Sequence, residues 1–230
     1  MVIPVHDEND AEPGFRPWIV WCLFALNVGI YLYIALLPAE FAQLLAYYFG
    51  VVPSFLLQGG DIAGASLPMS PGLSLLTYTF IHGNWVHLAA NMLFLWVLGD
   101  NVEMAFGRLR FVFFYLMCGI AGGLAHAIAA PSSDIPLVGA SAAVAGIVGG
   151  YLLLRPAARV TFLVLGIVPV TMRAYWIFAL WLAWQIANVL VPMTADNHVA
   201  YWSHIGGFVT GLALTVVLRR AGIIMPWFGR

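Results

Sequence analysis

Residues 138–154 read VGASAAVAGIVGGYLLL. The stretch carries no charge, and its apolar residues run on without the alternation of a half-buried strand. A continuous apolar run of about 17–25 residues reads as a helix in lipid, where backbone polar groups must be satisfied within the segment. Ala142, Gly146 and Gly150 recur every fourth residue and form a small-residue stripe on one face. Such stripes let a second backbone come close. Ser141 sits about one turn into this run and is a polar group in an apolar setting.

The rest of the chain extends the same reading. Of 230 residues, 63% are hydrophobic and 8% charged, against about 25% charged in a soluble domain. Further apolar runs fall near 18–37, 85–100, 109–130, 174–192 and 201–218. The expected fold class is therefore all-α, a polytopic membrane protein with six transmembrane helices. Residues 160–170 are apolar but lie between Arg159 and Arg173, and read as an interfacial connection. Residues 38–84 are too apolar for a solvated loop and too broken by Pro and Gly for a span, so a partly embedded loop is expected.

The chain has nine Arg and no Lys. Arg16, Arg108, Arg110, Arg155, Arg159, Arg173, Arg219, Arg220 and Arg230 all fall on one side of a six-span layout. The positive-inside rule makes that side cytoplasmic, with both termini there. The acidic first 16 residues lack the basic start of a cleavable signal and read as a cytoplasmic tail. Residues 17–220 are then the membrane domain and 221–230 a second short tail. Cys22 and Cys118 both lie in apolar runs and read as packing residues. No basic cluster points to nucleic acid.

Polar residues inside spans are costly and point to function. His87 and Asn91 are four apart, on one face of the second span. Ser141 enters the fourth span and His204 the sixth, each from the outer side and at similar depth. Gly207 and Gly211 give the sixth span a G-x-x-x-G face, so the fourth and sixth spans can approach until serine and imidazole meet. Taken singly, such a serine reads as packing, and such an asparagine as interhelical glue. Their convergence is what an active site needs. There is no H-E-x-x-H and no intramembrane Asp pair. His82, His87 and His204 have no nearby carboxylate or thiol, so neither a metal nor another cofactor is expected. Asp100 and Glu103 are expected to cap a helix or pair with Arg108 and Arg110. A small transporter would also place polar groups in its helices, but the two halves show no inverted repeat.

At these residues the chain resembles the rhomboid family of intramembrane serine proteases. The matching stretches are His82-Gly83-Asn84-Trp85-x-His87-x-x-x-Asn91-Met92, Gly139-x-Ser141 and His204-x-x-Gly207-x-x-x-Gly211. Leu98-Gly99, Glu103 and Gly107 are similar to the segment after the family's second helix. The resemblance implies a catalytic dyad of Ser141 and His204, with His87 and Asn91 helping to hold the oxyanion. Gly139, Gly207 and Gly211 would pack the helices at the site. It also implies single-span membrane proteins as substrates. These would enter laterally from the bilayer, and the embedded loop and the fifth span are candidate gates, although Trp176, Trp181 and Trp184 read first as lipid-facing packing. The alternative is an inactive rhomboid-like protein that binds membrane helices. Two positions depart from the family. Ala142 follows the nucleophile where Gly is usual, and its methyl is expected to border the oxyanion pocket. Ala145 stands where an aromatic ring often supports the catalytic imidazole. A bacterial inner membrane is the expected location, with the site open to the outer side.

Overall fold

The computed structural model describes residues 2–8, 14–59, 70–164, 167–190, 200–223 and 225–226. Parts of both expected tails, residues 191–192 of the fifth run and residues 60–69 of the outer loop lie outside the described residues. The chain is mostly helical. It opens with strand β1 (Val2–Asp7), then α1 (Trp18–Ala35). The expected embedded loop holds three short helices, α2 (Ala39–Phe49), α3 (Pro53–Gln58) and α4 (Pro71–Thr77). After a 3-10 turn come α5 (Trp85–Phe106) and α6 (Arg108–Ala129), then α7 (Ser141–Leu154). Strands β2 (Arg159–Val164) and β3 (Val168–Arg173) precede α8 (Ala174–Leu190) and α9 (Tyr201–Leu218).

Three of these helices, α1, α6 and α9, are long and apolar enough to cross a membrane, and α7 and α8 are apolar but shorter. Their outer surfaces suit lipid. Leu36, Leu109, Ile128, Leu190 and Val217 are each more than two-thirds exposed. In water so much large apolar surface would drive association; against lipid tails it costs nothing.

The all-helical expectation is corrected by a three-stranded antiparallel sheet, in the order β1-β2-β3. Residues 160–164 and 168–170 lie in two paired antiparallel strands, and the N-terminal residues add a strand to their edge, pairing Ile3 with Leu163 and Asp7 with Val160. β-branched residues such as Val160, Thr161, Val170 and Thr171 suit a pleated surface at the end of the bundle. Asp7 anchors this sheet. It is buried, and its carboxylate accepts hydrogen bonds from the Tyr151 hydroxyl (2.8 Å) and the Asn101 amide (3.0 Å). Burial pushes the Asp7 carboxyl above its ordinary pKa.

The same end of the bundle gathers the other termini. Glu103 is fully buried and accepts from the backbone N–H of Ile19 (3.2 Å) and Val20 (2.9 Å). It caps α1, filling donors that lack intrahelical partners, and its hydrogen bonds go there rather than to the nearby arginines. The Arg220 N–H donates to the Ala105 carbonyl (2.9 Å), which ties the end of α9 to the junction of α5 and α6. Arg110 donates to the Leu218 carbonyl (3.2 Å), so Arg108, Arg110, Arg219 and Arg220 lie together at this end.

At the opposite end the embedded loop is stitched to the α6–α7 connection. Val51 and Leu137 exchange both backbone hydrogen bonds (3.0 and 2.8 Å), and the Ser54 hydroxyl donates to Asp134 (2.6 Å). Tyr78, fully buried, donates its hydroxyl to the Gly119 carbonyl of α6 (2.6 Å). Its own carbonyl accepts from the Gly139 N–H (2.9 Å). The loop thus holds the residues that lead into α7.

Candidate active site

Close approach of α7 and α9 builds the site. A Cβ placed on Gly207 would run into the Ala142 carbonyl, and one on Gly211 into that of Gly146. On Gly146 it would strike the Cys118 sulfur of α6. The small-residue stripes of α7 and α9 therefore face each other, and α6 closes the third side. Lipid supplies no hydrophobic drive between helices, so this contact depends on fit. Cys118 is buried there as a packing residue, while Cys22 is exposed.

Gly139 is required on two counts. Its φ is +122°, which side chains rarely adopt, and a Cβ would lie 2.5 Å from His87 Cε1. The chain turns here so that Ser141 starts α7 beside the His87 ring. Asn84 caps α5, its side-chain oxygen accepting from the His87 N–H (2.9 Å). The rings of His82 and His87 meet edge to face at 5.2 Å, and the Ala140 N–H points at His82 Nε2 (3.5 Å).

Ser141, His204, His87 and Asn91 all line one cavity of about 670 Å³, with Ala145, His126 and Trp181. No hydrogen bond joins the Ser141 hydroxyl to His204 among the described residues. Catalytic hydrogen bonds are often loose before substrate binds. The Asn91 amide nitrogen is buried and finds no hydrogen-bond partner among the described residues. Such a group costs about 1–3 kcal/mol unless something accepts from it. Among the described residues no cluster of three metal-binding side chains exists.

Two expectations about neighbours are corrected. Ala142 is fully buried, and its methyl packs toward Gly122 of α6 rather than into the cavity. One residue along a helix turns the side chain by about 100°, which carries position 142 away from the face that Ser141 presents. Ala142→Gly should therefore bring no gain in turnover. It should lower the melting temperature, because about 1 kcal/mol of helix propensity is lost along with the α6 contact. Melting in detergent and a cleavage assay would check both. The ring missing at Ala145 is replaced from another helix. Trp181 of α8 lies 6.2 Å from His204 and 5.9 Å from Phe208 between ring centroids. Trp176 and Trp184 are instead more than half exposed and face outward.

Sequence reasoning missed Gln185 and His126. Gln185 of α8 is buried, and its Oε1 lies 2.8 Å from His204 Nδ1. Both are polar residues inside apolar runs, so the signal that singled out Asn91 was also present for them. Neither shares a motif with Ser141, and only folding brings α8 and the end of α6 to the cavity.

The Rhomboid domain matches residues 72–221, which cover every element of this site. The chain belongs to the rhomboid family. It is 29% identical to RHOMBOID-like protein 4 of Arabidopsis thaliana, over 93% of this chain and 54% of that protein. It is 33% identical to Rhomboid protease GluP of Bacillus subtilis, over 64% of this chain and 27% of that protein. It is 30% identical to Rhomboid protein 1, mitochondrial, of Saccharomyces cerevisiae, over 61% and 40%. The chain thus spans between about a quarter and just over half the length of these curated relatives. They come from a plant, a bacterium and a yeast, so the similarity is to the rhomboid family as a whole and not to one cellular membrane. Rhomboid membership and the apolar helices make this an integral membrane protein.

Proposed function

We propose that this rhomboid is an intramembrane serine endopeptidase that cuts membrane-protein substrates with Ser141 and His204. The observation that carries the reading is their convergence on one cavity beside the Asn91 amide, which has no partner among the described residues. Ser141 Oγ attacks the scissile carbonyl while His204 takes its proton, then returns it to the leaving amine. Water from the cavity hydrolyses the acyl-enzyme. The first backbone N–H groups of α7 lack intrahelical acceptors and carry partial positive charge. With the Asn91 amide and His87 they stabilise the oxyanion. No cofactor is needed. A helical substrate hides its carbonyls in its own hydrogen bonds, so Gly, Pro or polar residues near the cut would favour cleavage.

Six spans, α1 and α5 to α9, complete the proposal, with the arginine-bearing end cytoplasmic and the cavity opening to the other side. Single-span substrates would enter from the bilayer.

Fluorophosphonate labelling tests the reading. Labelling of the wild type, lost in Ser141→Ala, is expected. An unlabelled, folded wild type would favour the rhomboid-like protein that binds helices without cutting them. Asn91→Ala should lower turnover without abolishing it, because backbone donors remain; one oxyanion donor is typically worth about 2.7–4 kcal/mol. Unchanged kcat in that variant would return Asn91 to a packing role.

A further inference from the structure

Among the described residues no carboxylate lies beside His204, yet its ring is not held by packing alone. Gln185 sits on α8, one turn beyond Trp181, so both side chains share the face turned to His204. Gln185 is 4% exposed, and its Oε1 lies 2.8 Å from Nδ1. An amide oxygen only accepts, so Nδ1 must carry the hydrogen. The neutral ring then has its lone pair on Nε2, the nitrogen that must take the proton of Ser141. The other ionisable groups on the cavity, His87 of α5 and His126 of α6, make no hydrogen bond to His204 among the described residues.

We propose that Gln185 is the positioning residue of the general base, selecting the Nδ1–H tautomer of His204 and fixing its ring from α8. This deepens the reading of His204 as the base and rests on it. It also makes the dyad depend on a helix that contributes neither of its members. The Gln185 amide does the orienting work that a carboxylate does in a serine–histidine–aspartate site, without placing a charge among apolar helices.

The test compares Gln185→Met, which keeps length but has no strong acceptor, with Gln185→Glu, which keeps an oxygen at that place. Both are measured beside the wild type in one lipid or detergent preparation. For Gln185→Met, kcat should fall about 10- to 100-fold with KM within about 2-fold, since an orphaned buried donor carries that weight. Its rate of fluorophosphonate labelling should fall in parallel. Gln185→Glu should recover most of the loss. Wild-type kcat in folded Gln185→Met would overturn the proposal, and so would equal loss in both variants, which would mark a packing role. The tautomer itself is read by ¹⁵N chemical shifts of histidine-labelled protein, with no turnover required. Protonated Nδ1 in the wild type and a mixture in Gln185→Met are expected; identical spectra would overturn the assignment. A wild type that shows the Nδ1–H tautomer yet is neither labelled nor active would sink the protease reading and leave the Gln185 contact standing.

Discussion

Ser141→Ala and His204→Ala should each reduce cleavage of a membrane substrate by about 10⁴-fold or more, because nucleophile and base act as one unit. The double variant should be hardly slower than either single one, which separates a joint role from two independent ones. Both proteins should remain folded. The Ser141 side chain caps no helix among the described residues, and alanine nearly matches its volume. His204→Ala would free the Gln185 oxygen and remove one of the two ring contacts of Trp181 described above, so it should lose some stability where Ser141→Ala loses almost none. Cleavage of a reconstituted substrate, with melting measured on the same samples, checks the set. A Ser141→Ala protein that still cuts the same bond would remove the nucleophile assignment.

Gly207→Val should be nearly as damaging to activity, by a different route. The obstacle facing position 207 is the backbone of Ala142, one residue after the nucleophile, and a helix backbone cannot step aside as a flexible side chain can. The helices must separate or tilt. Overpacking of this kind costs about 1–3 kcal/mol or more, and His204 lies three residues from the wedge. A displacement near 1 Å can cost about 100-fold in rate. We expect a lower melting temperature together with near-complete loss of cleavage. Gly29→Val is the control, since nothing lies within 4 Å of a Cβ there; it should change neither property. Equal activity in Gly207→Val and wild type would mean that α7 and α9 do not need this contact to bring the site together.

Much of this is legible in the sequence. The helices α1, α5, α6, α7, α8 and α9 fall where the apolar runs fall, because in lipid an uncharged run of this kind has few alternatives to a helix. His87, Asn91, Ser141 and His204 stood out because each is polar where polarity is costly, and all four do share a cavity. Gly207 and Gly211 are recognisable by spacing, since residues four apart stack on one helix face. The sheet was less legible. Val2–Asp7 and Arg159–Val164 lie more than 150 residues apart, and neither has enough alternation to announce a strand until the other is beside it.

Local sequence alone establishes the apolar surroundings, the positions of the helices and which polar side chains are candidates for chemistry. Those follow from local composition and from the cost of polar groups in an apolar medium. Only the tertiary structure decided how the site is supported. It turned Ala142 toward α6 and away from the cavity, and it sent Glu103 to the start of α1. It also brought Trp181 and Gln185 from α8 onto His204. The physical reason is directional. Periodicity shows which residues share a face of one helix, but which neighbour that face meets depends on close packing of several helices at once.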